Sequence, residues 1–401
     1  MSPTSRARIF LATTLMVLGQ PCWAEAQQTS AGRPDISSAA DQPHLRDEAK
    51  ALVQVESTYE HYVRGGGWQA LPNGPSLQKG DTGPAVEALR TRLAAEGFVC
   101  NGSAVELGLF DATLDCAVRA YQDQRGLDVD GVVGPQTRAA LNIPARQRLA
   151  QIELNIERVA SRRDLPADRV EVNTAAAEAV LFRDDRPALH TRIIVGKPST
   201  PTPSFEAEIR GVVINPPWNV PDSIARGEIL PKTIGDPGYL ARNHYIWTAG
   251  RLVQTPGEHN ALGRIKLDMP NPHTVYLHDT PARALFDTAR RYYSHGCMRM
   301  RHPREIAVAL LEDQGWTLEA LDAAIEVGET RTIPLPAPVP VYVYYQTAYV
   351  REDGALILQP DIYGLDAEAL ASETADIQIA EVAAGETECA ATGSENSSLP
   401  G

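Results

Sequence analysis

The chain contains the segment HTVYLHD at residues 273–279 and the segment SHGCMR at residues 294–299, with fifteen residues between His278 and Ser294. Apolar and polar residues alternate in the first segment, which predicts a β-strand, because successive side chains of a strand point to opposite faces. Tyr276 and His278 then share one face. Such a pair can be a structural contact in a core or part of a reactive site, and the second segment favours the reactive site.

The thiol of Cys297 is the candidate nucleophile. A free thiol has a pKa of about 8.5 and is mostly protonated at neutral pH, but a neighbouring histidine can favour the thiolate. His278 and His295 are the candidates for that role. Gly296 permits a tight turn, and the backbone N–H groups of Gly296 and Cys297 can form an oxyanion hole.

The same side chains allow a second interpretation, a metal site made of His278, His295 and Cys297. The chain has no C-x-x-C pair, and an H-x-C spacing is not among the usual zinc patterns. We therefore expect neither a metal ion nor another cofactor.

Acidic charge is concentrated at one end of the chain. The 401 residues carry a formal charge of −14, and residues 352–401 contribute eleven acidic side chains with no Lys, Arg or His, so the rest totals −3 (40 acidic against 37 basic). This balance argues against nucleic acid as the main partner, because phosphates require a basic face. Between residues 283 and 304, six arginines against one acid favour an anionic substrate, unless they are ordinary solvated side chains.

Residues 1–26 have the pattern of a secretory signal. Two arginines precede an apolar run at residues 9–18, and Ala24-Glu25-Ala26 offers a cleavage site. No apolar run reaches the roughly 18 residues that span a bilayer, so we expect an exported protein without a transmembrane segment after signal removal. In an oxidising compartment Cys100 and Cys116 favour a disulfide, and two buried thiols are the alternative.

Composition and periodicity predict a multidomain α+β protein. The expected parts are a polar linker and helix (27–75), a small three-helix module (76–142), a helical connector (143–167), a mostly β domain (168–365) and an acidic, disordered tail (366–401). Residues 219–260 interrupt the β pattern with helix-like, polar and aromatic sequence. We also expect a helix from Pro303 and a hairpin of strands at 339–349 and 355–358.

Two parts of the chain resemble known families. LQKGDTGPAV at residues 77–86, with DGVVGPQT at 130–137, looks like the peptidoglycan-binding domain of cell-wall enzymes. His278 followed by SHGCMR is similar to the signature of the L,D-transpeptidases (YkuD-type catalytic domain), and NPPWNVP at 215–221 looks like the long Gram-negative branch of that family. In that branch a capping insert would correspond to residues 219–260.

The resemblance implies roles for the site residues. Cys297 would be the nucleophile and His278 the general base, oriented by a backbone carbonyl near Asp279. Gly296, Cys297 and the Tyr276 hydroxyl would stabilise the oxyanion. His295 would complete the catalytic set, and the substrate-binding residues would be Ser294, Arg299, Trp218 and Asn219.

The implied reaction joins two peptidoglycan stem peptides. Cys297 would attack a tetrapeptide donor and release D-alanine, and the thioester would pass to the diaminopimelate amine of an acceptor, giving a 3→3 cross-link in the periplasm. Carbapenem β-lactams would acylate the same thiol. The alternatives are an L,D-carboxypeptidase, an enzyme that anchors envelope proteins, and a non-catalytic wall-binding protein.

Overall fold

The computed structural model describes residues 43–102, 106–162 and 164–372. Residues 1–42, with the predicted signal, and residues 373–401, with most of the acidic tail, lie outside the described residues, so the predictions for them stay predictions. Within the described ranges, no helix is long and apolar enough to cross a bilayer.

The first part of the described chain is helical. The helices at residues 84–95, 112–124 and 135–141 pack around a small core that buries Val86, Leu89 and Leu93, the predicted apolar face of the first of them. The disulfide between Cys100 and Cys116 lies in this module, which confirms that prediction. The helices are α1 (Pro43–Arg64), α2 (Pro84–Ala95), α3 (Ala112–Gln124), α4 (Pro135–Leu141) and α5 (Ala145–Ser161).

Helices α1 and α5 pack against each other, a contact that their sequences do not predict. Leu52 and Tyr59 of α1 share one buried cluster with Ile152 and Ile156 of α5, and Leu358 near the end of the described chain joins it. Each helix has one apolar stripe, and the two stripes are buried together. The predicted linker helix and the predicted connector therefore form one support between the three-helix module and the β domain.

The β domain is built around one large sheet. Its strand order is β10-β3-β11-β9-β8-β4-β12-β1-β2, and β2 also pairs with β3, so the pairings close into a ring. The strands are β1 (Arg169–Asn173), β2 (Glu178–Arg183), β3 (Arg186–Gly196), β4 (Phe205–Ile214), β5 (Trp218–Asn219), β6 (Tyr245–Thr248), β7 (Arg251–Gln254), β8 (Ile265–Asp268), β9 (Leu277–His278), β10 (Tyr292–Ser294), β11 (Met298–Met300), β12 (Arg331–Tyr344), β13 (Ala348–Val350) and β14 (Leu356–Leu358).

Five further helices of the described chain flank these strands: α6 (Asp222–Ile224), α7 (Lys232–Gly235), α8 (Tyr239–Arg242), α9 (Pro303–Leu310) and α10 (Leu318–Glu326). Helix α9 begins at Pro303 as predicted, and its residues Ile306 and Leu310 join Leu321 and Ile325 of α10 in the main core. These observations confirm the expected fold class, a helical N-terminal region followed by a mostly β domain.

The strand predicted over residues 273–279 is wrong in its extent, because only Leu277–His278 is a strand. The Asn271 side chain donates to Val275 O (2.6 Å) and accepts from the N–H groups of His273 and Val275. These bonds fold residues 271–275 into a turn, so their backbone groups are not available to a sheet.

The single strand predicted over residues 339–349 is also wrong, because it is two strands. Residues up to Tyr344 belong to β12, whereas β13 pairs with β14 in a separate hairpin, as the hairpin prediction requires. Between them the N–H groups of Gln346 and Thr347 donate to the side chains of Asn173 (3.2 Å) and Asn155 (2.8 Å). These side chains take the place of the backbone carbonyls of a neighbouring strand, so β12 ends here.

Residues 219–260 form a small substructure on the large sheet. It consists of α6, a π-turn (Ala225–Ile229), α7, α8 and the three-stranded sheet β5-β7-β6. Its own small core holds Val220, Ile229 and Leu252. This is the segment predicted as an insert, and below we call it the insert.

A buried ionic network ties the three-helix module to its surroundings. The Glu96 carboxylate accepts from the Tyr59 hydroxyl (2.7 Å), Arg125 (2.7 Å) and Arg92 (3.0 Å), and all of these side chains are buried. Arg125 also donates to Leu356 O (3.3 Å) in β14. Burial alone would raise the pKa of Glu96, but the charges of Arg125 and Arg92 lower this pKa to about 2.

We expect Glu96→Gln to lower the free energy of unfolding by about 3–5 kcal/mol, because it leaves two buried guanidinium groups without their carboxylate. Chemical denaturation of the full chain measures this loss. Because the pKa of Glu96 is depressed, its contribution is present above pH 4.5 and is lost toward pH 2, so the variant should show a flatter pH dependence there. Glu87→Gln, at an exposed position of the same helix, should change stability by less than about 0.5 kcal/mol; equal losses in both variants would contradict the expectation.

Candidate active site

The segments at residues 273–279 and 294–299 each contribute to one of two neighbouring strands, β9 and β11. β11 lies parallel to β9, with Arg299 opposite His278, and the Met298 N–H donates to Tyr276 O (3.0 Å). Cys297 directly precedes β11, so its side chain lies beside Tyr276. It is the one free cysteine of the described residues, and it is partly buried.

The surroundings of the Cys297 thiol keep it protonated. Burial raises its pKa above the ordinary value, and hydrogen bonds from Tyr276 and the charges of Lys266 and Arg299 only partly oppose this. The thiol lies 3.9 Å from Thr274 O, a carbonyl that can accept a hydrogen bond from it. Any reaction of this thiol therefore requires a base at the moment of attack.

His278 is suited to be that base. It is buried, and its Nδ1–H donates to Asp279 O (2.5 Å), which leaves the lone pair on Nε2. Burial, together with the charges of Arg299 and Lys266, lowers the pKa of His278 to about 3. The imidazole is therefore neutral at physiological pH, in the tautomer that accepts a proton at Nε2.

The Asp279 side chain fixes the backbone that orients His278. Its carboxylate accepts from the Arg264 N–H (2.8 Å) and from the Arg283 guanidinium (2.5 Å). The Cβ of any side chain at Gly263 would clash with this carboxylate, since an ideal Cβ would lie 2.3 Å from its oxygen. The sequence pattern predicted a role only for a backbone carbonyl near Asp279, and nothing in it indicated the part played by the carboxylate.

The turn before Cys297 is held by hydroxyl groups. Gly296 has φ 113°, a conformation that favours glycine. Ser294 Oγ donates to Cys297 O (2.5 Å), and Thr202 Oγ1 donates to Gly296 O (2.8 Å). Thr202 is a second residue that sequence reasoning missed, because its position far before Cys297 in the chain gives no local signal of this contact.

The expectation that the Gly296 N–H forms part of an oxyanion hole needs correction. This N–H donates to Ser294 Oγ (3.1 Å), because the turn brings the hydroxyl beneath the glycine. The Cys297 N–H and the Tyr276 hydroxyl are therefore the remaining candidates. Burial raises the pKa of Tyr276, so its hydroxyl stays a donor, and the neighbouring Cys297 and Trp218 side chains also act on this pKa.

Trp218 and Asn219 form β5, the strand by which the insert leaves the main sheet. Trp218 is near enough to Tyr276 to act on the pKa of its hydroxyl. Asn219 is exposed and pairs through its backbone with Val253 of β7. Substrate binding by Trp218 and Asn219 stays a prediction.

His295 connects the reactive loop to the insert. Its Nε2 lies 2.6 Å from the Glu228 carboxylate in the π-turn, and Lys197 Nζ lies 3.3 Å from the same nitrogen. A protonated Nε2 donates to Glu228. His295 therefore shapes the site by holding the insert in place, and neither partner of this contact was predicted.

Most of the arginines predicted to face an anionic substrate have structural partners. Arg301 and Arg304 form ion pairs with Asp287 (2.7 Å) and Asp322 (2.8 Å), as Arg283 does with Asp279. Arg299 is different, because no carboxylate of the described residues lies within ion-pair distance of it. It is half-buried, and its charge lowers the pKa of both Cys297 and His278. It can therefore meet an anionic group of a substrate at this site.

The metal interpretation finds no support in the described part of the chain, where no group of three or more His, Cys, Asp or Glu side chains could hold a metal ion.

Arg299→Gln should move the pH profile of Cys297 alkylation by iodoacetamide upward, by on the order of one pH unit. The variant removes a positive charge that lowers the pKa of this thiol. Arg301→Gln is the matched control, since that side chain pairs with Asp287 and should leave the profile unchanged. An unshifted profile in Arg299→Gln would show that its charge does not act on the thiol.

Glu228→Gln should loosen the insert, because it replaces a charge-assisted hydrogen bond to His295 by a neutral one. We expect amide hydrogen exchange over residues 222–235 to become about two- to fivefold faster. Glu258→Gln changes an exposed acid of the same insert and should leave exchange unchanged. Equal exchange in all three proteins would mean that the His295–Glu228 contact does not restrain the insert.

Residues 167–333 match the family described as "L,D-transpeptidase catalytic domain" (YkuD), and residues 82–141 match "Putative peptidoglycan binding domain". A "Putative L,D-transpeptidase" of Haemophilus influenzae is 33% identical over 216 residues, which are 49% of this chain and 44% of that protein. The chain therefore spans less than half the length of that relative.

Other similarities are shorter or more distant. The "N-acetylmuramoyl-L-alanine amidase CwlM" of Mycobacterium tuberculosis is 46% identical over 76 residues, 17% of this chain and 19% of that protein. A crystal structure of an L,D-transpeptidase (residues 123–326) from Xylanimonas cellulosilytica has 19% identity and a TM-score of 0.20, covering 68% of this chain and 99% of that one. A structure of LD transpeptidase LdtMt1 in complex with imipenem has 17% identity and a TM-score of 0.24, covering 44% and 59%.

Proposed function

Since the chain carries an L,D-transpeptidase catalytic domain and a peptidoglycan-binding domain, we propose that it is an exported, cell-wall-associated enzyme that forms 3→3 cross-links through a thioester on Cys297. The observation that supports this proposal is the pairing of β9 with β11, which puts His278 on the strand next to the one that Cys297 precedes. The imidazole is neutral and oriented by Asp279 O, and the thiol is protonated. A neutral pair of this kind can react only by transferring a proton during the attack.

In the first half-reaction a tetrapeptide donor binds with its terminal L,D amide at Cys297. His278 Nε2 takes the thiol proton as Sγ bonds to the carbonyl carbon, and the Cys297 N–H and the Tyr276 hydroxyl donate to the oxygen as it becomes negative. When the tetrahedral intermediate collapses, the C–N bond breaks and the imidazolium returns its proton to the leaving amine. D-alanine departs, and the acyl group remains on sulfur.

The second half-reaction repeats these steps with an acceptor. The side-chain amine of diaminopimelate on another stem attacks the thioester, and His278 removes a proton from the nitrogen. The C–S bond then breaks and the thiol regains its proton. Arg299, the half-buried cation at the site, would bind a carboxylate of the stem peptides.

Cys297→Ala should abolish the formation of 3→3 dimers from disaccharide-tetrapeptides, and the unchanged chain should form them. Mass spectrometry of the products provides the measurement, and an unfolding curve of the variant confirms that it folds. Dimers formed equally well by the variant would refute the proposal.

The same product analysis separates the alternatives. Shortened stems without dimers would indicate an L,D-carboxypeptidase, and stems attached to a protein amine would indicate an anchoring enzyme. A carbapenem such as imipenem should add its mass to the protein only when Cys297 is present. No product and no acylation together would indicate a non-catalytic wall-binding protein.

A further inference from the structure

A cleft of about 1010 Å³ opens between the three-helix module and the β domain. Its lining includes neither Cys297 nor His278, so it is separate from the site described above. Its walls come from one face of strands β1 to β3, from α1, from the residues after α3 and from the hairpin of β13 and β14. Cavities of about 300–1,000 Å³ hold ligands as large as a short peptide.

The lining of the cleft holds eight carboxylates against three arginines and His190, but its floor carries two arginines without a carboxylate partner among the described residues. Several of the carboxylates are neutralised by ion pairs, Glu48 and Glu171 with Arg162 and Asp287 with Arg301. On the paired strands β2 and β3, Glu178 lies directly opposite Arg192 and Val180 opposite His190, so all four side chains share one face of the sheet. Glu178 pairs with His190 (3.1 Å), which raises the pKa of His190. Arg192 is exposed, and no carboxylate of the described residues lies within ion-pair distance of it.

Arg291 adds a second guanidinium group to this floor. It enters from the loop before β10, and its Nη2 donates to Ala176 O (2.8 Å) while its Nη1 lies 3.4 Å from Thr288 O. Carbonyl oxygens hold this side chain without neutralising it, and its buried Nε has no hydrogen-bond partner among the described residues. Arg192 and Arg291 thus face the cleft, and the carboxylate of Glu178, directly opposite Arg192 on the sheet, pairs with His190.

The opposite wall belongs to the peptidoglycan-binding module. Asp123 forms an ion pair with Arg351 of the hairpin (3.0 Å), and Asp128 accepts from the Ala289 N–H (3.4 Å). Val129, half exposed at 48%, lines the cleft between them. A ligand in the cleft therefore contacts the binding module and the β domain together, and the Asp128 carboxylate at the rim can accept an amine.

We propose that this cleft is a second peptidoglycan site, which binds a carboxylate-bearing stem peptide that does not react. Arg192 and Arg291 bind its carboxylates, and the acidic rim accepts its free amine. The inference rests on the proposed function for the identity of the ligand, since stem peptides carry several carboxylates and one amine. Occupation of the cleft would hold the wall against the enzyme while another stem reacts at Cys297.

A tetrapeptide stem that carries a photoreactive benzophenone tests this proposal on the full chain in a Cys297→Ala background. Irradiation followed by mass spectrometry should label the cleft segments, around residues 123–129 and 345–359. Arg192→Gln should reduce this labelling about tenfold, because it removes a charge-assisted hydrogen bond. The same peptide with its carboxylates amidated should label the cleft as weakly as the variant does.

Arg186→Gln provides the matched control, because Arg186 is exposed on the same strand but lies outside the cleft. It should leave the labelling unchanged. Undiminished labelling in Arg192→Gln, or an equal loss in Arg186→Gln, would overturn the proposal.

The result does not depend on catalysis, since the Cys297→Ala protein performs no turnover. Cleft labelling without 3→3 dimers from the unchanged chain would refute the proposed function alone. Dimers without cleft labelling would refute the cleft site alone. With Cys297 present, Arg192→Gln should keep its kcat on soluble disaccharide-tetrapeptides and lose activity on intact sacculi; equal activity on sacculi would also count against the proposal.

Discussion

The parallel pairing of β9 with β11 is the contact on which the site depends. Parallel neighbours cannot be joined by a tight turn, so the chain leaves the sheet after His278 and returns through β10 before it reaches Cys297. The register then sets Arg299 opposite His278. A shift of one residue would turn His278 to the other face of the sheet, away from the thiol.

Burial decides the protonation states at this site. Neutral imidazole and neutral thiol are both favoured, because charged groups lose hydration when they are buried. The nearby cations Lys266 and Arg299 lower the pKa of both groups. The charged form of the thiol is an anion and that of the imidazole is a cation, so the same cations stabilise one and destabilise the other. They thus favour a thiolate and disfavour an imidazolium, and they suit a site where a substrate carboxylate completes the charge balance.

The sequence predicted elements well where local chemistry decides them. The helix from Pro303 and the helices of residues 76–142 follow from proline at the first turn and from apolar spacing. The failures at residues 273–279 and 339–349 share one cause. There the side chains of Asn271, Asn173 and Asn155 take the backbone groups that a strand would use, and Asn173 and Asn155 are distant in sequence from the strand that they end.

By itself, the sequence determined which groups are the candidates for the chemistry: a thiol, an imidazole and the tyrosine two residues before it, together with a module of recognisable pattern. Tertiary structure alone decided how they are used. It engaged the Gly296 N–H in a hydrogen bond with Ser294, bound His295 to Glu228, and opened a cleft between the module and the sheet into which Arg192 and Arg291 face. Each of these depends on contacts between residues far apart in the chain, which local spacing does not encode.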